Sequence, residues 1–239
     1  MTSVAEAGTP IGRRVLLGMM GAGALGILFG SSAQRLIGDA LSPITSNSGF
    51  GLGSILPAAN RFRIYSVTGA LPGTDPNTYS LKVSGLVAKP YSISLAELMA
   101  MPPTALTKDF QCVTGWRVPS VHWQGVKLAD LMARAGPTPS ARALRFKSFD
   151  GVYTESLTLD QARRSDVIVA YQFEGKPLGA DHGGPVRLYV SPMYGYKSAK
   201  WLSAIELVDK VEPGYWEQRG YDVNAWVGHS NGRSDRPTG

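Results

Sequence analysis

Apolar and polar positions alternate over short stretches of the chain, which predicts a fold built mainly from short strands. Strands are predicted at 79–87, 167–173, 186–190 and 201–208. The segments 142–149 and 152–157 flank Asp150-Gly151, a dipeptide typical of β-hairpin turns, and we expect them to pair with each other.

Helical segments are predicted between these strands. Ser94-Leu-Ala-Glu97 is a capping box, so a short helix begins there and continues to about residue 100, before two prolines. An amphipathic helix is predicted over 128–135, with Gly136 placed to end it, and 158–164 forms one or two helical turns. Because strands and helices do not alternate regularly, the predicted fold class is α+β rather than βαβ.

The N-terminal part has the pattern of an export segment. Arg13-Arg14 precede an uncharged run, 15–34, that is long enough to cross a bilayer and is rich in Gly and Ala. This pattern is typical of a twin-arginine export signal, while ordinary Sec export and a retained membrane anchor stay open as alternatives. We therefore predict an export signal or anchor at 1–34, a linker at 35–59 and one body at 60–239. That body is expected outside the cytoplasmic membrane, periplasmic or otherwise extracytoplasmic.

The amino-acid composition limits the classes of binding partner, but it says little about the fold. The formal net charge is +6, but Lys and Arg are scattered without a long basic run, so nucleic-acid binding is not predicted. An anionic cofactor, an acidic membrane surface and ordinary solubility each account for this charge. With one cysteine, the chain has no internal disulfide, and a large core or a bound cofactor must stabilise it instead.

Some segments combine glycine with cations or ring nitrogens, which suits the binding of a phosphate or a heterocycle. Such clusters lie at 112–123, 181–188 and 194–201, and a basic and aromatic segment without glycine lies at 60–65. Each has a plain alternative: a solvated strand arginine, an exposed lysine pair, or a histidine that belongs to a turn. Cys112, in the first cluster, is an inert buried thiol, a soft metal ligand or a nucleophile.

The motifs in these clusters resemble a known family. Cys112-Val-Thr-Gly-Trp116, the run Gly184-Pro-Val-Arg-Leu188 and Gly195-Tyr-Lys-Ser-Ala-Lys-Trp-Leu202 are similar, in order and spacing, to the molybdenum-cofactor-binding catalytic domain of the sulfite oxidase family. The resemblance covers about residues 60–220 and is strongest to the small exported bacterial members, the methionine-sulfoxide reductase catalytic subunits. It implies a sulfite-oxidase-type α+β domain without the C-terminal immunoglobulin-like dimerisation domain, and a monomeric catalytic unit.

The resemblance also implies roles for individual residues. Cys112 supplies the protein thiolate to molybdenum, while a pterin dithiolene and oxo groups complete the coordination. Contacts to the pterin and its phosphate are implied for Asn60, Arg63, Ile64, Ser148, His182, Arg187, Gly195, Tyr196, Lys197 and Lys200. Arg117 either attracts an oxyanion or polarises an S=O oxygen, or is an ordinary surface arginine. Trp116, His122 and Trp123 line the access to the metal, or the tryptophans are core aromatics.

The implied activity is oxygen-atom transfer on a small sulfur-oxide-type substrate, with electrons exchanged with a separate protein, a membrane haem subunit or a soluble cytochrome. Sulfoxide reduction is favoured over sulfite oxidation, because several cations should converge on the metal for sulfite and only Arg117 is near Cys112 in sequence. Two further alternatives are a membrane-tethered, non-catalytic binding protein of this fold and a cysteine hydrolase that pairs Cys112 with His122 or His182.

Overall fold

The computed structural model describes residues 62–238. The chain divides into two units at residue 70, so that 62–70 belong to the first unit and 71–238 to the second. In the first unit, the Ser66 and Thr68 hydroxyl oxygens lie 3.0 Å apart and the Gly69 N–H donates to the Ser66 carbonyl at 3.3 Å. The predicted export segment and linker, together with Asn60, lie outside the described residues.

The second unit consists of short strands joined by turns and a few short helices. In chain order the strands are β1 (Ser80–Gly85), β2 (Tyr91–Ser94), β3 (Thr104–Gln111), β4 (Arg117–Lys127), β5 (Ala143–Ser148), β6 (Thr154–Thr158), β7 (Val167–Phe173), β8 (Lys176–Pro177), β9 (Arg187–Val190) and β10 (Leu202–Val208). The α-helices are α1 (Leu95–Ala100), α2 (Leu128–Ala135) and α3 (Leu159–Ala162). Single 3-10 turns cover Ala180–His182, Gly195–Lys197 and Glu217–Arg219. This mixture confirms the α+β class.

The strands form two five-stranded sheets. The first sheet has the order β2-β1-β10-β5-β6, in which β1 and β10 run parallel and all other neighbours are antiparallel. In the second sheet β3 pairs with β4 and β4 with β7, and β7 also pairs with both β8 and β9. Every pair of the second sheet is antiparallel.

The predicted helix ends are confirmed by their capping contacts. At the start of α1 the Glu97 N–H donates to Ser94 Oγ at 3.2 Å, and the Ser94 N–H donates to the Glu97 carboxylate at 2.8 Å. Helix α2 ends at Gly136, which has a φ of 67° that a residue with a side chain adopts at a cost. Helix α3 begins with the same kind of capping box, between Thr158 and Gln161.

The apolar face of helix α2 is part of the hydrophobic core. Its buried face consists of Leu128, Leu131, Met132 and Ala135. This face belongs to a single apolar cluster with buried side chains from both sheets, among them Leu81, Phe146 and Val169. Each fully buried aliphatic or aromatic side chain contributes about 1.5–3 kcal/mol relative to exposure. No helix within residues 62–238 combines the length and the apolar character needed to span a bilayer.

The sequence pattern did not predict β3 and β4. These strands form a long antiparallel pair whose register shifts between Lys108 and Phe110. A second register shift, between Gln124 and Gly125, interrupts the pairing of β4 with β7. Such irregular pairing breaks the two-residue alternation of side chains that marks a strand in a sequence. Residues 112–116 form the connection between β3 and β4, so Cys112 lies at the end of this pair.

Candidate functional site

Cys112 lies in a tight turn at the end of the β3–β4 pair. The turn is closed by the Cys112 N–H, which donates to the Trp116 carbonyl at 2.9 Å, and by the Gly115 N–H, which donates to the Cys112 carbonyl at 3.1 Å. Gly115 has a φ of 99°, a conformation that favours glycine. The Cys112 Sγ lies 3.2 Å from Thr114 Oγ1, and the residue is partly exposed. The thiol is therefore held in a fixed turn and is accessible to a ligand.

Arg187, the first residue of β9, is a buried cation whose hydrogen-bond partners are neutral. Its guanidinium donates to the carbonyls of His182 and Ser198, each at 2.8 Å, and it lies 5.8 Å from the centre of the Phe110 ring. Only 3% of the residue is exposed. Within residues 62–238 no carboxylate lies at ion-pair distance from Arg187. Burial lowers the pKa of Arg187 to about 10.

Lys200 and His182 lie close to Arg187. Burial, and then the charge of Arg187, lower the pKa of Lys200 to about 7. Burial also lowers the pKa of His182, and the Arg187 and Lys200 charges act in the same direction. The His182 ring stacks on Phe173 with 4.2 Å between ring centres. Two cations and a neutral imidazole thus meet in a partly desolvated region, which suits an anion attached to a heterocycle.

The backbone around Lys200 is fixed by neighbouring groups. Ser148 Oγ donates to the Lys200 carbonyl at 2.6 Å. The next residue, Trp201, has a φ of 52°, which is a strained conformation for a bulky side chain. Its backbone N–H donates to the Gly183 carbonyl at 2.9 Å and its indole N–H to the Ala180 carbonyl at 2.8 Å. These contacts hold Lys200 in place beside the Gly183 turn.

Lys197, in the 3-10 turn Gly195–Lys197, faces two carboxyl groups. Its Nζ lies 2.6 Å from Glu217 Oε1 and 3.4 Å from Glu155 Oε1, and all three side chains are buried. Burial raises the pKa of Glu155 well above its ordinary value, and although Lys197 opposes this, Glu217 adds to it. Two carboxyl groups thus face one buried cation. The Lys197 charge is therefore compensated within the protein.

The same 3-10 turn packs against the strand that leads to Cys112. A Cβ built on Gly195 lies 2.4 Å from Cζ of the Phe110 ring, so only glycine fits there. The Tyr196 hydroxyl donates to the Asp222 carbonyl at 2.5 Å, and the Tyr196 carbonyl accepts from the Tyr153 hydroxyl at 2.5 Å. The turn is consequently held between the β3 end, the β5–β6 hairpin and the C-terminal segment.

Arg117 is anchored by several contacts. Its Nη1 lies 3.1 Å from Asp109 Oδ2 and its Nε donates to Gln111 Oε1 at 2.6 Å. Its Nη2 donates to the carbonyl of Arg236, in the C-terminal segment. The side chain is 23% exposed, so it is fixed and still reachable by a small solute.

The aromatic residues near Cys112 in sequence divide between core and surface. Trp123 is 1% exposed and stacks on Tyr189 with 4.6 Å between ring centres, so it is a core aromatic residue. Trp116 is also buried and stacks on Phe110 at 5.7 Å. His122 lies at the surface, where its Nδ1 is 3.3 Å from the Glu174 carboxylate. Of the two interpretations of Trp123, the structure supports the core residue.

The structure thus brings half of the predicted residues into two groups. Ser148, His182, Arg187 and Lys200 form one group, in which Ser148 bonds to Lys200, Arg187 bonds to His182, and the Arg187 charge acts on Lys200. Cys112 and Arg117 form the other, at the β3–β4 turn. Arg63 and Ile64 belong to the first unit of the chain, and Asn60 lies outside the described residues. The pterin and phosphate contacts of all these residues stay predictions.

Several residues at the site were not predicted from the sequence. They are Asp109, Phe110, Glu155, Ser198, Glu217, Arg233 and Asp235. Glu155 and Glu217 are isolated charges in mixed segments, and their meeting with Lys197 depends on chain pairing alone. Within residues 62–238 the structure contains no group of three His, Cys, Asp or Glu side chains arranged to hold a metal ion.

Known proteins are similar in sequence to this chain. The sequence model of the family described as "Oxidoreductase molybdopterin binding domain" matches residues 68–216. The chain is 36% identical over 157 residues to the uncharacterized oxidoreductase YuiH of Bacillus subtilis, covering 65% of this chain and 79% of that protein. It is 29% identical over 190 residues to the sulfite oxidase of Arabidopsis thaliana, covering 65% of this chain and 48% of the relative.

Two further similarities concern a reductase and a solved structure. The chain is 32% identical over 177 residues to the protein-methionine-sulfoxide reductase catalytic subunit MsrP of Ralstonia nicotianae, covering 68% of this chain and 53% of MsrP. It therefore spans about half the length of this reductase and of the sulfite oxidase. The sulfane dehydrogenase SoxCD from Paracoccus pantotrophus shares the fold, with a TM-score of 0.55 and 23% identity over 60% of this chain and 41% of that one.

The family match covers more than half of the chain and includes Cys112, Arg187 and Lys200. The predicted resemblance is thereby confirmed, together with the sulfite-oxidase-type catalytic fold and the molybdenum-molybdopterin cofactor that the family implies. The chain belongs to the sulfite oxidase family of molybdopterin-binding oxidoreductases.

Proposed function

We propose that the chain catalyses oxygen-atom transfer on a small sulfur-oxide-type substrate, with sulfoxide reduction as the first candidate. One observation in particular supports a cofactor-dependent reaction at this site. Arg187 is buried among carbonyl groups without a carboxylate partner in residues 62–238, beside Lys200, whose pKa is lowered to about 7. A buried cation without a counter-charge is costly, so Arg187 favours an anionic ligand.

The molybdenum cofactor of this family fits that requirement, because its pterin carries a phosphate. Arg187 and Lys200 are the cations that would hold the phosphate, and His182 and Ser148 offer polar groups at the same place. Lys197 was predicted to contact the phosphate as well. Its ammonium group lies 2.6 Å from the Glu217 carboxylate, which supports a larger part for Arg187 and Lys200 in anion binding.

Cys112 is the residue that would bind the metal, through a thiolate that the metal keeps deprotonated. When bound, the cofactor supplies a two-electron redox centre that gives or accepts an oxygen atom. The chain contributes the fixed turn that presents the thiolate, and the anchored Arg117 guanidinium, which orients an S–O group by hydrogen bonding. The buried Trp116 and Phe110 pair excludes water from the inner side of this turn.

Sulfite oxidation is the second candidate, and a specific observation favours it. The sequence places one cation near Cys112, whereas the structure adds Arg233 of the C-terminal segment to the same turn. The loss of Trp123 as a pocket residue also weakens the aromatic pocket expected for a sulfoxide.

The electron partner and the location are also parts of this proposal. Electrons would pass between the molybdenum site and a separate protein, a membrane haem subunit or a soluble cytochrome. The paired arginines ahead of the run 15–34 support twin-arginine export and an extracytoplasmic site of action, with the run as a cleaved signal or an anchor. The body is expected to work as a monomeric catalytic unit.

Elemental analysis and two assays test the proposal. The full chain should contain about one molybdenum atom per molecule, should reduce sulfoxides or N-oxides with a reduced dye, or should oxidise sulfite with an oxidised dye. The Cys112→Ser variant should fold with an unchanged circular dichroism spectrum and lose this activity. A wild-type chain without molybdenum would favour the non-catalytic binding protein or, if iodoacetamide inactivated it, the cysteine hydrolase. Full turnover by Cys112→Ser would remove Cys112 as the metal ligand.

A further inference from the structure

A buried ion pair joins the Gly195–Lys197 turn to the segment 217–222. The Lys197 Nζ lies 2.6 Å from Glu217 Oε1, and neither side chain is exposed by more than 1%. The backbone at Gly214 passes close to this pair, since a Cβ built there would lie 2.7 Å from Glu217 Oε2. The family match ends at residue 216, so the segment lies beyond the part of the chain that the family model covers.

Aromatic contacts also place the segment 217–222 against the turn. The centre of the Tyr221 ring lies 5.5 Å from that of the Tyr196 ring, and the Tyr196 hydroxyl donates to the Asp222 carbonyl at 2.5 Å. Tyr221 is also near Cys112: burial raises the pKa of Tyr221, and the negative charge of a Cys112 thiolate raises it further. The segment therefore contacts the turn that resembles the phosphate-binding turn of the family, close to the thiol that would bind the metal.

The backbone hydrogen bonds of 218–221 do not attach the segment to the rest of the protein. These N–H groups donate to carbonyls of 214–217, which are neighbours in the chain. The Glu217 side chain, in contrast, reaches the buried cation in the turn. The second carboxyl, that of Glu155, belongs to β6 and lies 3.4 Å from Lys197. Without the Glu217 carboxylate, Lys197 would keep a partner in the sheet, while the segment would lose its charged tie to the turn.

We propose that Glu217 is a positioning residue: its ion pair with Lys197 holds the segment 217–222 against the Gly195–Lys197 turn and thereby retains the molybdenum cofactor in its site. This inference rests on the proposed function, and it gives Lys197 a role other than the phosphate contact that the resemblance implies. Salt screens a buried pair much less than an exposed one, so this tie remains strong at physiological ionic strength. A segment held in this way opens rarely, and a ligand bound beside the turn leaves more slowly.

Hydrogen exchange and cofactor loss, both measured on the full chain with its cofactor, test this role. In Glu217→Gln the amides of 218–221 should exchange roughly tenfold faster or more, because the segment opens locally. Loss of molybdenum during dialysis, followed by elemental analysis, should also become roughly tenfold faster. If the Lys197 ammonium instead bound the phosphate, its release from Glu217 would tighten cofactor binding. Slower loss of molybdenum in Glu217→Gln would therefore overturn the inference.

The Leu98→Ala variant separates positioning from a general loss of stability. Leu98 is fully buried in α1, and its truncation destabilises the core without changing a residue of the segment. While this variant remains folded, exchange of 218–221 and retention of molybdenum should stay at their wild-type values. Equal loss of molybdenum from Leu98→Ala and Glu217→Gln, at similar melting temperatures, would mean that stability alone retains the cofactor and would refute the role of Glu217.

Two glutamates serve as charge-matched controls. Glu212 lies a few residues before Glu217, but its carboxylate is 3.0 Å from Arg145 Nη1 and 41% exposed. Glu155 faces the same lysine from β6. Neither Glu212→Gln nor Glu155→Gln should change the exchange of 218–221 or the retention of molybdenum, since neither removes the pair of Glu217 with Lys197. An effect of Glu155→Gln as large as that of Glu217→Gln would contradict a specific role of Glu217.

The double variant Lys197→Met with Glu217→Met covers the case in which Glu217→Gln does not fold. Folding favours the neutral form of Glu155, so this double variant leaves no unpaired buried charge in the cluster and should keep much of the wild-type stability. The segment still lacks its ion pair, so exchange at 218–221 and loss of molybdenum should both be fast. Wild-type retention of molybdenum by the folded double variant would show that the pair is not needed.

The molybdenum content of the wild-type chain separates this inference from the proposed function. A wild-type chain without molybdenum would count against the proposed function. Hydrogen exchange in the same variants would then decide whether Glu217 holds the segment, and unchanged exchange at 218–221 would refute it. Molybdenum that is bound, and lost at the same rate from wild type and Glu217→Gln, would uphold the cofactor and refute the inference.

Discussion

The buried cations near the site differ in the groups that balance their positive charge. Some have carboxyl partners, whereas others have only neutral partners, and this difference determines what each residue does. Lys197 has two carboxyl partners within the protein. Arg187 donates to neutral carbonyls, and the pKa of Lys200 falls to about 7 through burial and the Arg187 charge. Removing one partner of a buried pair leaves an uncompensated charge, which costs more than the pair itself contributes. The variants of each residue should therefore behave differently.

The two glutamates beside Lys197 should respond unequally to the same substitution. Because burial raises the pKa of Glu155, folding favours its neutral form, and Glu155→Gln supplies a neutral group of similar shape. We expect its free energy of unfolding at pH 7 to change by less than about 1 kcal/mol. Glu217→Gln removes the closest partner of Lys197 and should cost about 3–5 kcal/mol. Urea denaturation measures both.

The pH dependence of the free energy of unfolding is a second, independent test of the raised pKa of Glu155. Above its ordinary pKa of 4.5 the unfolded chain releases a proton that the folded chain keeps. The contribution of Glu155 to stability therefore falls as pH rises from about 4.5 towards the raised folded pKa. Glu155→Gln should remove this fall between pH 5 and pH 8. Equal destabilisation by Glu155→Gln and Glu217→Gln would show that both carboxyls are ionised.

At the scale of elements, the backbones of β4 and β7 approach each other closely in the sheet whose β3–β4 turn contains Cys112. Gly125 lies in β4 at the register shift against β7. A Cβ built there would lie 2.2 Å from the Val169 carbonyl oxygen, which is a backbone atom. Since β4 begins at Arg117, a displaced β4–β7 pair would also disturb the turn with Cys112. The glycine is required by packing and not by its own φ.

Gly125→Ala should consequently destabilise the protein by about 3 kcal/mol or more, because the β7 backbone must move. Gly151→Ala is the control: Gly151 has a φ of 75°, but a Cβ there meets no atom within 4 Å. Backbone strain alone should cost about 1–2 kcal/mol at Gly151. Thermal or chemical denaturation of both variants measures the difference. A smaller loss for Gly125→Ala than for Gly151→Ala would mean that β4 and β7 separate easily.

At the scale of the whole molecule, stability depends on the core and on cofactor binding. The single cysteine excludes an internal disulfide, and the apolar cluster around α2 joins both sheets. A ligand that binds only the folded state adds to stability in proportion to its affinity and concentration. The cofactor should therefore raise the melting temperature of the whole second unit.

The titration of Lys200 should make the stability of the protein, and the stabilisation by the cofactor, depend on pH. Its folded pKa is about 7 and its ordinary value is 10.5, so the unfolded chain binds more protons between these values. The stability of the cofactor-free protein should then rise with pH from about 7 towards 10.5, and the Lys200→Met variant should lack this rise. A bound phosphate keeps Lys200 charged and should flatten the profile. Melting temperatures across this range, compared between wild type and variant, measure the effect. Parallel profiles for the two proteins would contradict the pKa of Lys200.

Helix ends and hairpins could be predicted from the sequence wherever residues close together in the chain make the stabilising contacts. The capping box at Ser94, the end of α2 at Gly136 and the β5–β6 hairpin all depend on residues a few positions apart. The strands β3 and β4 were not predicted, because register shifts break their alternation. The family motifs identified Cys112, Arg187 and Lys200 as candidates, since their order and spacing survive in the sequence.

The sequence by itself determined the class of this protein: an α+β molybdopterin-binding oxidoreductase with a solitary thiol in a recognisable motif. The tertiary structure decided which charges are compensated and which face the site. Glu155 and Glu217 meet Lys197 across 42 and 20 positions of the chain, and Arg233 reaches Gly115 from the C-terminal segment. Electrostatic partners of this kind depend on distances between remote segments. Strand pairing and packing set those distances, so a local sequence pattern does not predict them.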